Sequence, residues 1–228
     1  MLVLAVDTTT PSGSVALLED ETLLGEVGVE SAATHSARLL RAVDFLLGAA
    51  GRDIRDVEAY AVAAGPGSFT GIRIGLAAVK ALSFASGRPV APVSTLLAVA
   101  TKLAADGTRL VAPLLDAKKG EIYAALFESG RSGLKEIVPQ GAYSPDGFFA
   151  RLPARRVIAF AGSGVPAYRD KLLPYVRDMA RFPRRSPFIA AEVGRIGRSL
   201  ILEGRAVGAA ALEPIYFRRS QAEETCRS

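Results

Sequence analysis

Four sets of residues in this sequence have the types and spacing to do chemistry. Asp7 follows the apolar run Leu2–Val6, and Asp116 follows Leu110–Leu115. A carboxylate at the end of a buried strand holds a metal–nucleotide or caps a loop. With Thr8 and Gly120 in the polar turns that follow, the two aspartates form candidate phosphate turns. The stretch Gly65-Pro66-Gly67-Ser68-Phe69-Thr70-Gly71-Ile72-Arg73-Ile74-Gly75 enters a helix, where glycines allow close backbone approach and leave N–H groups for an anion. It is neither a Walker A loop, since no Gly-Lys-Ser/Thr follows, nor a G-x-G-x-x-G fingerprint, since its glycines fall at 65, 67 and 71. His35, near a helix start, has the chemistry of a base or a metal ligand, yet no second ligand accompanies it and a structural or interface role is expected. The fourth set is a band of arginines that includes Arg155-Arg156 and Arg184-Arg185.

Counting sets firm limits. Cys226 is the only cysteine and His35 the only histidine. No internal disulfide, no cysteine-rich metal site and no paired-histidine motif can be built from them. Nucleophile–His–acid catalysis would have to pass through His35 alone. The expectation is a chain with no metal, no cofactor and no complete catalytic site. Charge is unevenly placed: residues 1–103 carry 8 Lys/Arg against 10 Asp/Glu, and residues 104–228 carry 20 against 13. Within 151–198 the count is 11 against 3. Such a segment is either an electrostatic footprint for RNA phosphates, with Arg155, Arg156, Arg184 and Arg185 as candidates, or a solvated arginine-rich face. Tyr123 and Tyr168 are expected in the core or at its rim.

The elements that must position these groups come in two similar sets. Asp7–Glu19 (D-T-T-T-P-S-G-S-V-A-L-L-E) and Asp116–Glu128 (D-A-K-K-G-E-I-Y-A-A-L-F-E) lie 109 residues apart, and both read as a strand ending in a carboxylate, a polar turn and a returning strand. Tyr60–Ala64 leading into Gly65-Pro66-Gly67 is echoed by Val157–Ala161 leading into Gly162-Ser163-Gly164. Two lobes are expected, 1–103 and 104–228, linked near Thr101–Thr108 at Asp106-Gly107. Helical spacing predicts a helix through Leu39, Leu40, Val43, Leu46, Leu47 and Ala50, capped by Thr34 or Ser36 and stopped at Gly51. A second runs from Phe69-Thr70 to about Ser86. A third covers Phe188–Glu203 with Val193, Ile196 and Leu200 on one face, and it could cross back onto the first lobe. Mixed strands and helices in repeated order indicate an α/β layered architecture.

Glycine inside a helix costs ~1 kcal/mol against alanine. Gly71 and Gly75 therefore need a reason: a bare face that admits either the parent lobe's backbone or a partner helix. No uninterrupted apolar run reaches the ~18 residues of a membrane span. Met1–Val6 has no basic leader and reads as a first strand, so a cytoplasmic protein with no membrane contact is expected. In actin-like sugar kinases and chaperone ATPases the turns equivalent to those after Asp7 and Asp116 cradle ATP phosphates, usually with glycine just after the aspartate. Here Thr8-Thr9-Thr10 and Ala117-Lys118-Lys119 take those places, and an adenosine-binding loop of consecutive glycines is missing. Both argue against autonomous ATP binding.

Val6-Asp7-Thr8-Thr9, the helix Thr34-His35-Ser36-Ala37-Arg38-Leu39-Leu40, Gly65–Gly75, Asp116–Tyr123 and Pro214-Ile215-Tyr216-Phe217-Arg218 together resemble the TsaB (YeaZ) family, across nearly the whole chain. The resemblance implies an actin-like (ASKHA) fold of two similar lobes, each a mixed sheet with flanking helices. It implies a non-catalytic subunit of the assembly that adds threonylcarbamoyl to the adenosine next to the tRNA anticodon. The partner would be a TsaD-like paralogue holding metal and nucleotide, joined by a TsaE-like ATPase. It places the partner surface on His35, Ser36, Leu39 and Leu40 of one helix and Thr70, Gly71, Arg73 and Gly75 of the other. Lys118, where the family often has Arg, and Arg41-Ala42, in place of a Pro-containing turn, are departures. Two other functions stay in view: an autonomous actin-like ATP-binding phosphotransferase or ATPase using Asp7 and Asp116, and an RNA-presenting module using residues 151–198. Self-association as a homodimer is also expected of an uncovered small-residue helix face, and any tRNA contact would be indirect.

Overall fold

The computed structural model describes residues 1–30, 35–105, 107–131 and 133–217, without the side chains of residues 29, 30 and 35–37. The chain divides into two units, Met1–Ala98 with Pro187–Ile215, and Val99–Ser186 continued from Tyr216.

The first unit is built on β1 (Leu2–Asp7), β2 (Ser12–Glu19), β3 (Thr22–Glu30), β4 (Ala59–Gly65) and β5 (Val90–Ser94), in the order β3-β2-β1-β4-β5. The first three form an antiparallel meander, and β4 and β5 add in parallel to β1. β1 and β4 are interior strands buried on both faces, so they read as unbroken apolar runs rather than alternating ones. Alternate residues serve different layers. Leu2, Leu4 and Val6 join Leu39, Val43, Leu46, Ile72, Leu76 and Val79 of α1 (His35–Ala49) and α2 (Phe69–Ser86) in one core. α2 has the length and apolarity to cross a membrane, but here its inner face packs on the sheet. α3 (Thr95–Ala104) carries the chain across the division between units.

The second unit repeats the plan with β6 (Leu110–Lys118), β7 (Glu121–Gly130), β8 (Gly133–Tyr143), β9 (Ile158–Ala161) and β10 (Ala180–Arg181). Its order, β8-β7-β6-β9-β10, matches the first sheet strand for strand, and the antiparallel and parallel pairings match too. α4 (Pro145–Phe149) and α5 (Val165–Val176) flank it, and Leu110, Leu114, Leu126, Phe148, Phe149, Phe160 and Leu172 fill its core. This duplicated five-strand order is the actin-like arrangement, an α/β fold. The echo between Gly65 and Gly162 is conformational as well: Gly65 ends β4 and Gly162 follows β9, both at positive φ, 120° and 115°.

α6 (Ala190–Leu202) packs on the other face of the first sheet, against β1, β2, β4 and β5. The expected boundary at residue 103/104 is therefore incomplete: residues 187–215 belong with the first unit. The expected Val193–Ile196–Leu200 face is also corrected, because the innermost residues are Ala190, Val193, Gly194 and Gly197. A methyl at Gly194 would strike Leu18, and one at Gly197 would strike Ala61. Small residues on both surfaces let the helix sit close to the sheet. Its start has no local cap. Instead Ala190 N–H donates to Ser14 Oγ at 3.1 Å and Ala191 N–H to Glu26 Oε1 at 3.0 Å, so a carboxylate from β3 meets the positive end of the helix.

Candidate functional site

The β1–β2 turn and α2 are folded into one another. Thr8 Oγ1 donates to the Gly71 carbonyl at 2.7 Å, and Ser68 N–H donates to the Thr9 carbonyl at 2.7 Å. Ser68 caps the helix through its own hydroxyl, which accepts from Gly71 N–H. Methyl groups at Gly67 and Gly71 would strike the carbonyl oxygens of Thr9 and Thr8, and one at Gly75 would strike Thr8 Oγ1. The bare glycine face is thus occupied by the lobe's own backbone. Of the two readings open for Gly71 and Gly75, the parent lobe takes the face, and neither residue reaches the surface.

Asp7, at the end of β1, is completely buried. Its Oδ1 accepts from Thr9 N–H at 2.9 Å and Thr9 Oγ1 at 2.6 Å, while Oδ2 has no hydrogen-bond partner among the described residues. Burial pushes its pKa up to about 6; the Thr9 hydrogen bonds work against that shift, and the Glu26 charge adds to it. The carboxyl lines a small open cleft together with Gly13, Ser14 and Val27 on one side and Arg38 and Leu39 of α1 on the other. The Thr8 hydroxyl is spent on α2 and the Thr9 hydroxyl and N–H on Asp7, so the turn offers few donors to a phosphate.

The equivalent turn of the second unit is built differently. Asp116 Oδ1 accepts from Lys118 N–H and Oδ2 from Lys118 Nζ, both at 2.8 Å. Burial pushes Asp116 up, but the Lys118 hydrogen bonds and charge outweigh it and hold the carboxyl below the usual range. Lys118, Lys119 and Gly120 all take left-handed conformations, at φ 63°, 52° and 79°. One position of the repeat is therefore a buried, half-satisfied acid, and the other a solvated ion pair.

The outward faces of α1 and α2 carry what the inward faces do not. On α1, Leu39 is buried in the core, whereas Leu40 and Phe45 are 58% and 66% exposed. On α2, Thr70, Arg73, Ala77 and Ala81 face outward, ending in Phe84 at 85% exposed. The Arg73 guanidinium lies 3.8 Å over the Phe69 ring. Of the eight residues expected on a partner surface, Leu40, Thr70 and Arg73 are exposed. Leu39, Gly71 and Gly75 are packed inside the lobe, and the side chains of His35 and Ser36 lie outside the described residues. Phe45 and Phe84 had not been singled out from sequence. The helical period that puts Leu46 and Ser83 inside puts both phenylalanines outside, and that was the available signal.

The arginine band also divides. Arg155 and Arg156 lead into β9, while Arg184 and Arg185 follow the far end of β10. Tyr123 stacks at 6.5 Å from Phe217, and the Tyr168 hydroxyl reaches the Glu121 carbonyl. Among the described residues no three His, Cys, Asp or Glu side chains gather closely enough to hold a metal ion.

Comparison with known proteins follows the same lines. A family model described as TsaD, tRNA N6-adenosine threonylcarbamoyltransferase, matches residues 23–172. The chain is 34% identical over 142 residues to the tRNA threonylcarbamoyladenosine biosynthesis protein TsaB of Bacillus subtilis, covering 61% of this chain and 60% of that one. It thus spans about three fifths of the length of that curated relative. YeaZ from Pseudomonas aeruginosa superimposes with a TM-score of 0.82 at 28% identity, covering 94% of this chain and 99% of the other. Component A of the (R)-2-hydroxyglutaryl-CoA dehydratase of Acidaminococcus fermentans, at TM-score 0.54 and 8% identity over 87% of this chain and 98% of that one, shares the fold alone. With its two matching sheets and these relatives, the chain belongs to the family that the threonylcarbamoyltransferase model describes, on its TsaB/YeaZ branch.

Proposed function

We propose that this chain works in the biosynthesis of threonylcarbamoyladenosine in tRNA as a non-catalytic subunit, docking through the outward faces of α1 and α2 on a TsaD-like paralogue that carries the reaction. The observation that supports this most is the exposed row Phe69–Arg73–Ala77–Ala81–Phe84 of α2, with Leu40 and Phe45 exposed on α1. Aromatic and arginine side chains flanking small residues are the composition of an interface centre. The names of the relatives supply the pathway. The inward-turned Asp7 and the single histidine favour a supporting role over an autonomous phosphotransferase, because a phosphate-binding turn needs its polar groups free. The same uncovered face would pair two copies of the chain in the paralogue's absence, and a TsaE-like ATPase would join the assembly.

Co-expression with the paralogue tests the docking. Phe84→Asp and Arg73→Glu, both on the solvent side, should leave the melting temperature unchanged and abolish co-purification. Undiminished co-purification of the double variant would overturn the docking surface.

A further inference from the structure

The second sheet gathers positive charge at one of its ends. β6, β9 and β10 run parallel and are aligned at Leu110, Ile158 and Ala180, so the residues leading into them leave the sheet on the same side. Those residues are Arg109, Arg155 with Arg156, and Arg177. The register carries the end further: Glu128 of β7 lies opposite Leu110, and Lys135 of β8 lies opposite Glu128. A basic residue therefore stands at this end of every strand except β7. Neighbouring strands lie about 4.8 Å apart, so the five span roughly 20 Å.

Glu128 organises the middle of this rim. Its Oε1 accepts from Arg109 Nε at 3.0 Å and from Arg156 Nη2 at 3.1 Å. One carboxylate fixes two guanidinium groups, and only the Nε of Arg109 is used, which leaves its terminal fork without a protein partner among the described residues. Arg109 is 73% exposed. Arg155 and Arg177, at the flanks, are exposed and make no ion pair among the described residues. Both are held at positive φ, 60° and 48°, a conformation uncommon for a residue with a side chain. Among the described residues at this end, the acids Glu128, Glu136 and Asp178 are outnumbered by the five basic groups named and Arg131 of the β7–β8 hairpin.

We infer that this rim, formed by Arg109, Arg155, Arg156 and Arg177 at the start of three parallel strands, binds the phosphate backbone of tRNA. Planar guanidinium forks match phosphate oxygens, and an edge where Val157 and Ile137 are the exposed large aliphatics among the described residues offers little to an apolar partner. The inference rests on the reading that the chain acts on tRNA, but it concerns a different surface from α1 and α2. It also separates the four arginines first considered for RNA: Arg155 and Arg156 belong to the rim, and Arg184 and Arg185 do not.

The test is fluorescence anisotropy of end-labelled tRNA with the full chain, titrated from 50 to 200 mM NaCl. Arg155→Glu combined with Arg177→Glu should weaken binding at least about tenfold and reduce the slope of log K against log salt by about two. These side chains touch no core, so the variant should fold. Arg184→Glu with Arg185→Glu should change affinity less than about threefold by the same salt criterion. The inference is overturned if the wild-type chain fails to bind at 50 mM salt, if the rim variant binds like wild type, or if the Arg184/Arg185 variant shows the larger loss. Rim-dependent binding to phosphatidylserine vesicles with none to tRNA overturns it too. Because the measurement uses the chain alone, its failure is distinct from a failure of docking, which co-purification of the rim variant with the paralogue reports separately.

Discussion

The Thr8 hydroxyl donates to the carbonyl of Gly71 across 63 residues of sequence, inside the first unit. That bond joins the turn after the first strand to the first turn of the longest helix, and it explains why the helix carries glycines where alanines would be better helix formers. The close approach makes Gly71 intolerant of any side chain. Gly71→Val should destabilise the chain by about 1–3 kcal/mol through overpacking, whereas Thr8→Val should cost about 1 kcal/mol through the lost hydrogen bond. Urea unfolding at fixed pH checks both; a Gly71→Val variant as stable as wild type contradicts the contact.

Asp7 should impose a pH dependence of unusual sign. Its folded pKa of about 6 lies above the ordinary value of 3.8, so between these values the folded chain holds the extra proton. Stability attributable to this group is therefore greatest at low pH and is lost as pH rises through about 6. The difference between the two values corresponds to roughly 3 kcal/mol. Asp7→Asn keeps an oxygen for Thr9 and removes the charge. Relative to wild type it should gain stability at pH 7.5 and lose that advantage at pH 4, as measured by paired urea titrations.

Asp116 should behave in the opposite sense. Its folded pKa is depressed through Lys118, so its contribution is present above the ordinary carboxylate range and is lost as pH falls through the folded value. The Lys118 end of the pair is solvated, and Lys118→Met should leave the melting temperature close to wild type. The Asp116 carboxyl should then titrate at higher pH, which carbon-detected NMR resolves.

α6 depends on small residues on both sides of its contact with the sheet. Gly197→Leu would drive a side chain into Ala61 and Ala91, and should cost about 1–3 kcal/mol or displace the helix. Hydrogen exchange of the α6 amides, faster in the variant, checks this.

Much of the fold could be read from the residues. The unbroken apolar runs Leu2–Val6 and Leu110–Leu115, and the 109-residue echo that opens at Asp7 and Asp116, were enough to expect two similar α/β lobes. The return of the last helix to the first unit stood only as an open alternative, because helix α6 has no local cap: Ser14 and Glu26, more than 160 residues away, supply it. The candidate site was legible as a region and not as a side of the helix. Gly71 and Gly75 mark a close backbone approach equally well whichever backbone approaches, and only Thr8 decides between them. The exposed Phe84 follows from the helical period alone, since its apolar side chain does not itself mark an outward position. The rim of Arg109, Arg155, Arg156 and Arg177 is scattered over 69 positions and becomes a group only through the parallel register.

The most direct measurement is the threonylcarbamoyladenosine content of tRNA incubated with the paralogue, with and without this chain. The chain alone should yield no modified nucleoside, and wild-type protein should stimulate the paralogue. The Phe84→Asp, Arg73→Glu variant should not. Modification by the purified chain without the paralogue, or full stimulation by the docking variant, would contradict the account.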